Sequence, residues 1–172
     1  MRCTIGAVAA AAAATAWYML VRRRSAVAAP IISPTMAAVV ARDQRCVIQT
    51  DTPTPSPTAG QVLIRLHATA INRLDCIQRA GKAPVPPGVT EVLGLEGAGV
   101  VVAVGSGDVG GLSIGDEVLA LLPGGGYAQY AAVDASTCML KPRGLSWAAA
   151  GSICEAWLTV SQGVEHGMLG HA

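Results

Sequence analysis

Hydrophobic and polar positions alternate with a period of two along several short stretches, which is the signature of strands with one buried face. The clearest is Gln61-Val-Leu-Ile-Arg-Leu-His-Ala-Thr-Ala70, in which Val62, Ile64, Leu66 and Ala68 fall on one side. Residues 36–42 start an earlier strand, and residues 46–50 read as its hairpin partner. Between these and the clear strand, Pro53, Pro55 and Pro57 alternate. A chain so poor in donors cannot pair inside a sheet, so residues 52–59 are expected to form a stiff extended loop. A short helix is predicted over residues 72–78, because Asn72 and Asp75 stand at capping positions and Gly81 supplies a stop. Strands resume at residues 98–104, 117–121 and 127–133, each bounded by glycine turns. Many short strands, one brief helix and no strand–helix–strand rhythm predict a mainly β fold, an irregular antiparallel barrel with few helices.

One glycine pattern invites a different reading. Gly105-Ser-Gly107-Asp-Val-Gly110 matches G-x-G-x-x-G and follows a strand. A dinucleotide-binding loop must also open a helix. Here Gly111-Leu-Ser-Ile-Gly-Asp116 follows, a second turn leading to another strand. The expectation is a turn, not a cofactor site.

The N-terminus breaks the alternation. Ile5 through Val21 is an apolar run dominated by alanine, followed at once by Arg22, Arg23 and Arg24, and no acidic residue precedes Asp43. Three readings stand. A short signal-anchor would leave the arginines and the folded domain on the cytoplasmic side of a membrane. A mitochondrial or other organelle transit peptide would be arginine-containing and poor in acids. A cleaved secretory signal would carry its charges before the apolar stretch, where only Arg2 stands. Residues 26–35 then read as a linker. The expected organisation is a targeting or anchor segment with its linker over 1–35, one globular domain over 36–150, and a helical start over 151–172.

Composition narrows the partners. The net charge is +1 and charged residues are only 13%, so no basic field exists to hold nucleic acid. Hydrophobic residues reach 52% with aromatics at 3% and no Phe, so Ala, Val and Leu must fill the core. The five cysteines, Cys3, Cys46, Cys76, Cys138 and Cys154, are odd in number and form no C-x-x-C pair. That argues for reduced thiols rather than a disulfide framework or a structural zinc lobe.

Several segments taken in order carry more than each alone: Ala70-Ile-Asn-Arg-Leu-Asp75, Pro86-Pro-Gly88, Leu93-Gly-Leu-Glu-Gly97, Val104-Gly105, Ile114-Gly-Asp-Glu117, Leu122-Pro-Gly-Gly-Gly126 with Ala128-Gln-Tyr130, and Glu155-Ala-Trp-Leu-Thr159. Together the pattern resembles the zinc-independent quinone oxidoreductases of the medium-chain dehydrogenase/reductase superfamily. The resemblance implies a GroES-like barrel followed by a Rossmann domain, with hydride passing from NADPH to a quinone-type small molecule in the cleft between them. It also implies that Asn72 and Thr159 approach the nicotinamide. The face around residues 148–158, with Ile153, Trp157 and Leu158 apolar, is expected to favour a homo-oligomer or a partner chain. Zinc-dependent relatives have a Cys where Asn72 stands and a His where Leu95 stands, and neither Asn nor Leu replaces those ligands. No metal site is expected, Glu96 alone being insufficient.

Each of these residues has a plainer role beside it. Asn72 could be only a helix N-cap, Thr159 a helix hydroxyl bonded back to a carbonyl, Glu155 a helix-start residue, and Gly124 to Gly126 a simple turn. The chain departs from the family at Ala83, where a tyrosine is common, and at Cys154, where a proline is usual. The likeness fades after Gln162, and no strand–glycine loop–helix unit is visible to hold the phosphates of NADPH. A Rossmann domain is therefore expected to be absent from this chain. Two function classes follow: the catalytic-side portion of an NADPH-dependent quinone oxidoreductase, or a non-catalytic GroES-like module that pairs with another chain.

Overall fold

The computed structural model describes residues 30–164. The apolar run, its arginines and the end of the 151–172 segment lie outside the described residues. The chain runs through β1 (Thr35–Arg42), β2 (Arg45–Pro53), β3 (Gln61–Ala68), helix α1 (Arg73–Arg79), β4 (Glu96–Val104), β5 (Glu117–Leu121), β6 (Tyr130–Asp134), a 3-10 turn (Ala135–Thr137), β7 (Cys138–Leu140), α2 (Trp147–Ala150) and α3 (Cys154–Gly163). Every strand pairing is antiparallel.

β1 and β2 form a hairpin whose two loop residues, Asp43 and Gln44, both have positive φ (47° and 60°). Two such residues give the turn twist that matches paired strands. The remaining strands form one sheet in the order β6-β3-β4-β5-β7. Isolated bridges, Ala38 to Ala128 and Val40 to Val92, join the hairpin to this sheet. The expected barrel thus takes the form of two antiparallel sheets stitched together, not one closed ladder. The joins fall at the proline- and glycine-rich segments, which cannot sustain continuous pairing.

One face of the large sheet holds a core of Val62, Ile64, Val101, Val118, Ala120 and Val133. On the other, Ala98 and Leu119 meet Ala150 and Cys154, which docks α2 and α3. Trp147 of α2 stacks on His67 at 4.6 Å between centroids, and Lys141 sits 4.9 Å from the same indole while pairing with Glu117 at 2.9 Å. Leu63 departs from the one-face pattern: it is only 2% exposed although its neighbours Val62 and Ile64 are also buried. The proline loop and the linker explain this, since Pro34, Thr54, Pro55 and Leu63 line one depression. Thr54 N–H also donates to the Pro34 carbonyl at 2.9 Å. The glycine pattern at 105–110 is a turn, with Gly107 and Gly110 at φ 79° and 62°, and it leads into β5 rather than a helix.

Candidate functional site

Leaving β3, the chain must reach α1 across a short link, and Thr69 fixes it by donating its hydroxyl to the Glu96 carbonyl at 2.6 Å. Asn72 then occupies the N-cap position in extended conformation. Asp75 completes the start of the helix, its Oδ2 accepting from Asn72 N–H at 2.8 Å. Helix α1 ends at Ala80, where Gly81 takes φ 70°.

Two buried carboxylates flank Asn72. Asp75 is 3% exposed and Glu96 is 1% exposed. The Asp75 oxygens accept three donors: Asn72 N–H, Gly94 N–H at 3.1 Å and the Tyr127 hydroxyl at 2.8 Å. Burial first, and the Asp75 carboxylate second, hold the Tyr127 phenol well above its ordinary value, so it stays protonated as a donor. Glu96 Oε1 accepts from Asn72 Nδ2 at 2.9 Å, and Oε2 accepts from Glu155 N–H at 3.1 Å. A carboxylate at the first turn of α3 is favourably placed toward the helix dipole. Glu96 therefore joins the Asn72 amide to the base of α3. Cys154, buried beside it, has its thiol pushed up to about 11 by burial and then by Glu96.

The loop over this network is built by backbone contact. Gly125, Gly126 and Tyr127 N–H donate to the carbonyls of Val92, Gly94 and Leu93 at 2.8, 3.0 and 2.8 Å. Gly94 has φ 103°, and a side chain there would place its Cβ 2.6 Å from Gly126 Cα. The glycines at 124–126 thus serve a tight backbone-to-backbone join. A groove of about 390 Å³ opens beside it, lined by Val39, Ile48, Leu66, His67 and Tyr127.

The two residues expected from the sequence are placed differently. Asn72 is half-buried and oriented by Glu96, with its second amide hydrogen left to meet a carbonyl or carboxamide oxygen. Thr159 is exposed on α3, one turn beyond Glu155, and no hydrogen bond joins it to Asn72. Glu155 contributes its backbone N–H to the site. Sequence reading missed the Asp75–Tyr127 pair and the hub role of Glu96; the signal for both was an acid within otherwise apolar or helix-start segments, which burial forces to find donors.

Fit to cofactor and metal can be judged from these groups. The free Asn72 amide suits the carboxamide end of a nicotinamide, whereas no glycine loop opening a helix exists among the described residues to cradle phosphates. Leu95, 6% exposed and apolar, offers no metal ligand. No group of three or more His, Cys, Asp or Glu side chains that could hold a metal ion occurs among the described residues. No helix among them is long and apolar enough to cross a membrane.

Residues 58–143 match the alcohol dehydrogenase GroES-like domain. The chain is 37% identical over 118 residues to the NAD(P)H oxidoreductase RTN4IP1, mitochondrial, of Dictyostelium discoideum, covering 64% of this chain and 33% of that protein. It is 32% identical over 120 residues to the quinone oxidoreductase of Sus scrofa, covering 69% and 36%. The quinone oxidoreductase from Coxiella burnetii superposes with a TM-score of 0.65 at 29% identity, over 76% of this chain and 44% of that one. The chain therefore spans about a third of the length of these curated relatives.

Proposed function

Since the chain belongs to the alcohol dehydrogenase GroES-like domain family, an oxidoreductase-like domain of the medium-chain dehydrogenase/reductase superfamily, we propose that it is the catalytic-side portion of an enzyme passing hydride from NADPH to a quinone or similar carbonyl. The observation that carries this reading is the Asn72 amide, fixed by Glu96 at the start of α3. There its free N–H can orient the nicotinamide carboxamide or the acceptor oxygen. The names of the Dictyostelium and porcine relatives support the choice of chemistry. Bound NADPH would supply the hydride; this domain would supply orientation and one wall that excludes water.

The phosphates provide much of a dinucleotide's binding energy, and the described residues give them no cradle. The 172 residues alone should thus show no measurable NADPH binding by calorimetry. Joined in frame to the part of the Sus scrofa quinone oxidoreductase that this chain does not match, the domain should support NADPH-dependent quinone reduction. Asn72→Ala should lower kcat/KM about tenfold, the scale of one positioned hydrogen bond. A chimera that binds NADPH but reduces no quinone would overturn the proposal, as would micromolar NADPH binding by the isolated chain. A second reading, a non-catalytic module that pairs with another chain, is favoured by the apolar face of α3, where Trp157 is 67% exposed and Val160 58%. The same inactive chimera would support it.

A further inference from the structure

Glu96 and Asp75 are both buried, at 1% and 3% exposed, and between them they hold the side-chain amide and the backbone N–H of Asn72. Their partners are all neutral. Glu96 accepts from the Asn72 amide and Glu155 N–H, and Asp75 accepts from two backbone N–H groups and the Tyr127 hydroxyl. Among the described residues neither carboxylate forms an ion pair. A buried charge is ordinarily paired. These two are satisfied as hydrogen-bond acceptors and unmatched as charges.

The other fields at this point do not cancel them. Asp75 lies in the first turn of α1, and Glu96 accepts the Glu155 N–H at the start of α3. A helix start carries about half a positive charge, so the two together leave about one net negative charge around Asn72. Arg73, next in the chain, is exposed, so water and salt screen it far more than they screen the buried pair. The outward N–H of Asn72 therefore sits in a negative field. The N–H selects the oxygen of a carboxamide, and the field selects the charge of the ring that carries it. NADPH and NADP+ share the carboxamide and differ in that charge: hydride leaves with both electrons of its C–H bond, so the oxidised ring is a cation and the reduced ring is neutral.

We propose that Glu96 makes the face beside Asn72 prefer a cationic aromatic carboxamide, so that this domain holds an oxidised nicotinamide more tightly than a reduced one. The inference rests on the proposed placement of the nicotinamide at Asn72. Glu96 then sets charge as well as orientation. A charge acting across several ångströms of partly buried protein is worth about tenfold in affinity.

The test uses the full chain and two ligands without phosphates: nicotinamide, which is neutral, and 1-methylnicotinamide, a cation with the same carboxamide. Dissociation constants are read from the shifts of the Asn72 side-chain amide in NMR titrations. The cation should bind about tenfold more tightly than the neutral ligand. Glu96→Gln removes the charge and keeps the hydrogen bonds. Its NH2 can donate to Asn72 Oδ1 once that amide is flipped, its carbonyl still accepts Glu155 N–H, and Asn72 still turns N–H outward. The variant should bring the two ligands within about twofold of each other, whereas Glu96→Asp, which keeps the charge, should retain the preference. Equal binding by the parent, a preference that survives Glu96→Gln, or one lost as fully in Glu96→Asp would overturn this inference and leave the proposed reading standing. If neither ligand moves the Asn72 amide, the placement of nicotinamide there fails and the inference fails with it.

Discussion

Asp75 shows how one residue can serve the start of a helix and the closure of a loop at once. Its Oδ1 takes Gly94 N–H and its Oδ2 takes both Asn72 N–H and the Tyr127 hydroxyl. A carboxylate is acceptor-only and suits this set; an amide is not. Asp75→Asn must turn an NH2 toward at least one N–H donor whichever way it is placed. The expected loss is about 2–3 kcal/mol, the scale of a buried donor left unpaired, read as a lower urea midpoint with an unchanged slope. A variant as stable as the parent would show that the three bonds contribute nothing net. Asp75 was legible from the sequence as a helix-start residue. Its second role was not, because Gly94 and Tyr127 reach it only through long-range folding.

At the scale of elements, strands declared themselves by alternation and α1 by its cap, whereas α2, capped by Ser146, was not foreseen. Residues 117–121 were expected as a strand and form one, and the hairpin of residues 36–42 with 46–50 stands with ends moved by a few residues. β7 was not foreseen: Cys138–Leu140 is too short to show a period, and only pairing with β5 makes it a strand. The strand expected over 127–133 begins at Tyr130 instead, since Tyr127 N–H is spent on Leu93 and Gln129 N–H on Ala37. The join between the 92–95 and 122–127 segments makes a sharp prediction. Gly94 combines φ 103° with a Cβ position 2.6 Å from Gly126 Cα, whereas Gly88 has φ 82° but open space around it. Gly88→Ala should cost about 1 kcal/mol for backbone strain. Gly94→Ala adds a backbone clash and should cost about 3 kcal/mol or more. Equal thermal midpoints for the two variants would remove the close approach as the cause.

For the whole molecule, three buried or half-buried groups are expected to lower stability at alkaline pH. Burial, chiefly, pushes the Cys154 thiol up to about 11 and Cys138 to about 12, both from 9.0, and raises the Tyr127 phenol as well. Above pH 9 the unfolded chain releases these protons while the folded chain keeps them, so the unfolded state binds fewer protons and stability falls with rising pH. Their contribution is complete below pH 9 and is lost as pH climbs through the folded values. Denaturation midpoints should therefore hold level to about pH 9 and then fall, and Cys154→Ala should flatten part of that fall. A profile unchanged by the substitution would exclude Cys154 as a contributor.

The sequence by itself determined the strand content, the antiparallel character, the turn nature of the 105–110 glycines, and the family pattern. These depend on local periodicity, turn chemistry and ordered short motifs, all of which are written along the chain. Only the tertiary structure decided that Leu63 is buried on the second face of β3, that two sheets are bridged instead of closed, and that Glu96 ties Asn72 to α3. Thr159, expected by resemblance to approach the nicotinamide, stands exposed on α3, whose start at Glu155 donates its N–H to Glu96. Such facts rest on which distant segments meet, and a buried carboxylate finds its donors only when the fold has brought them to it.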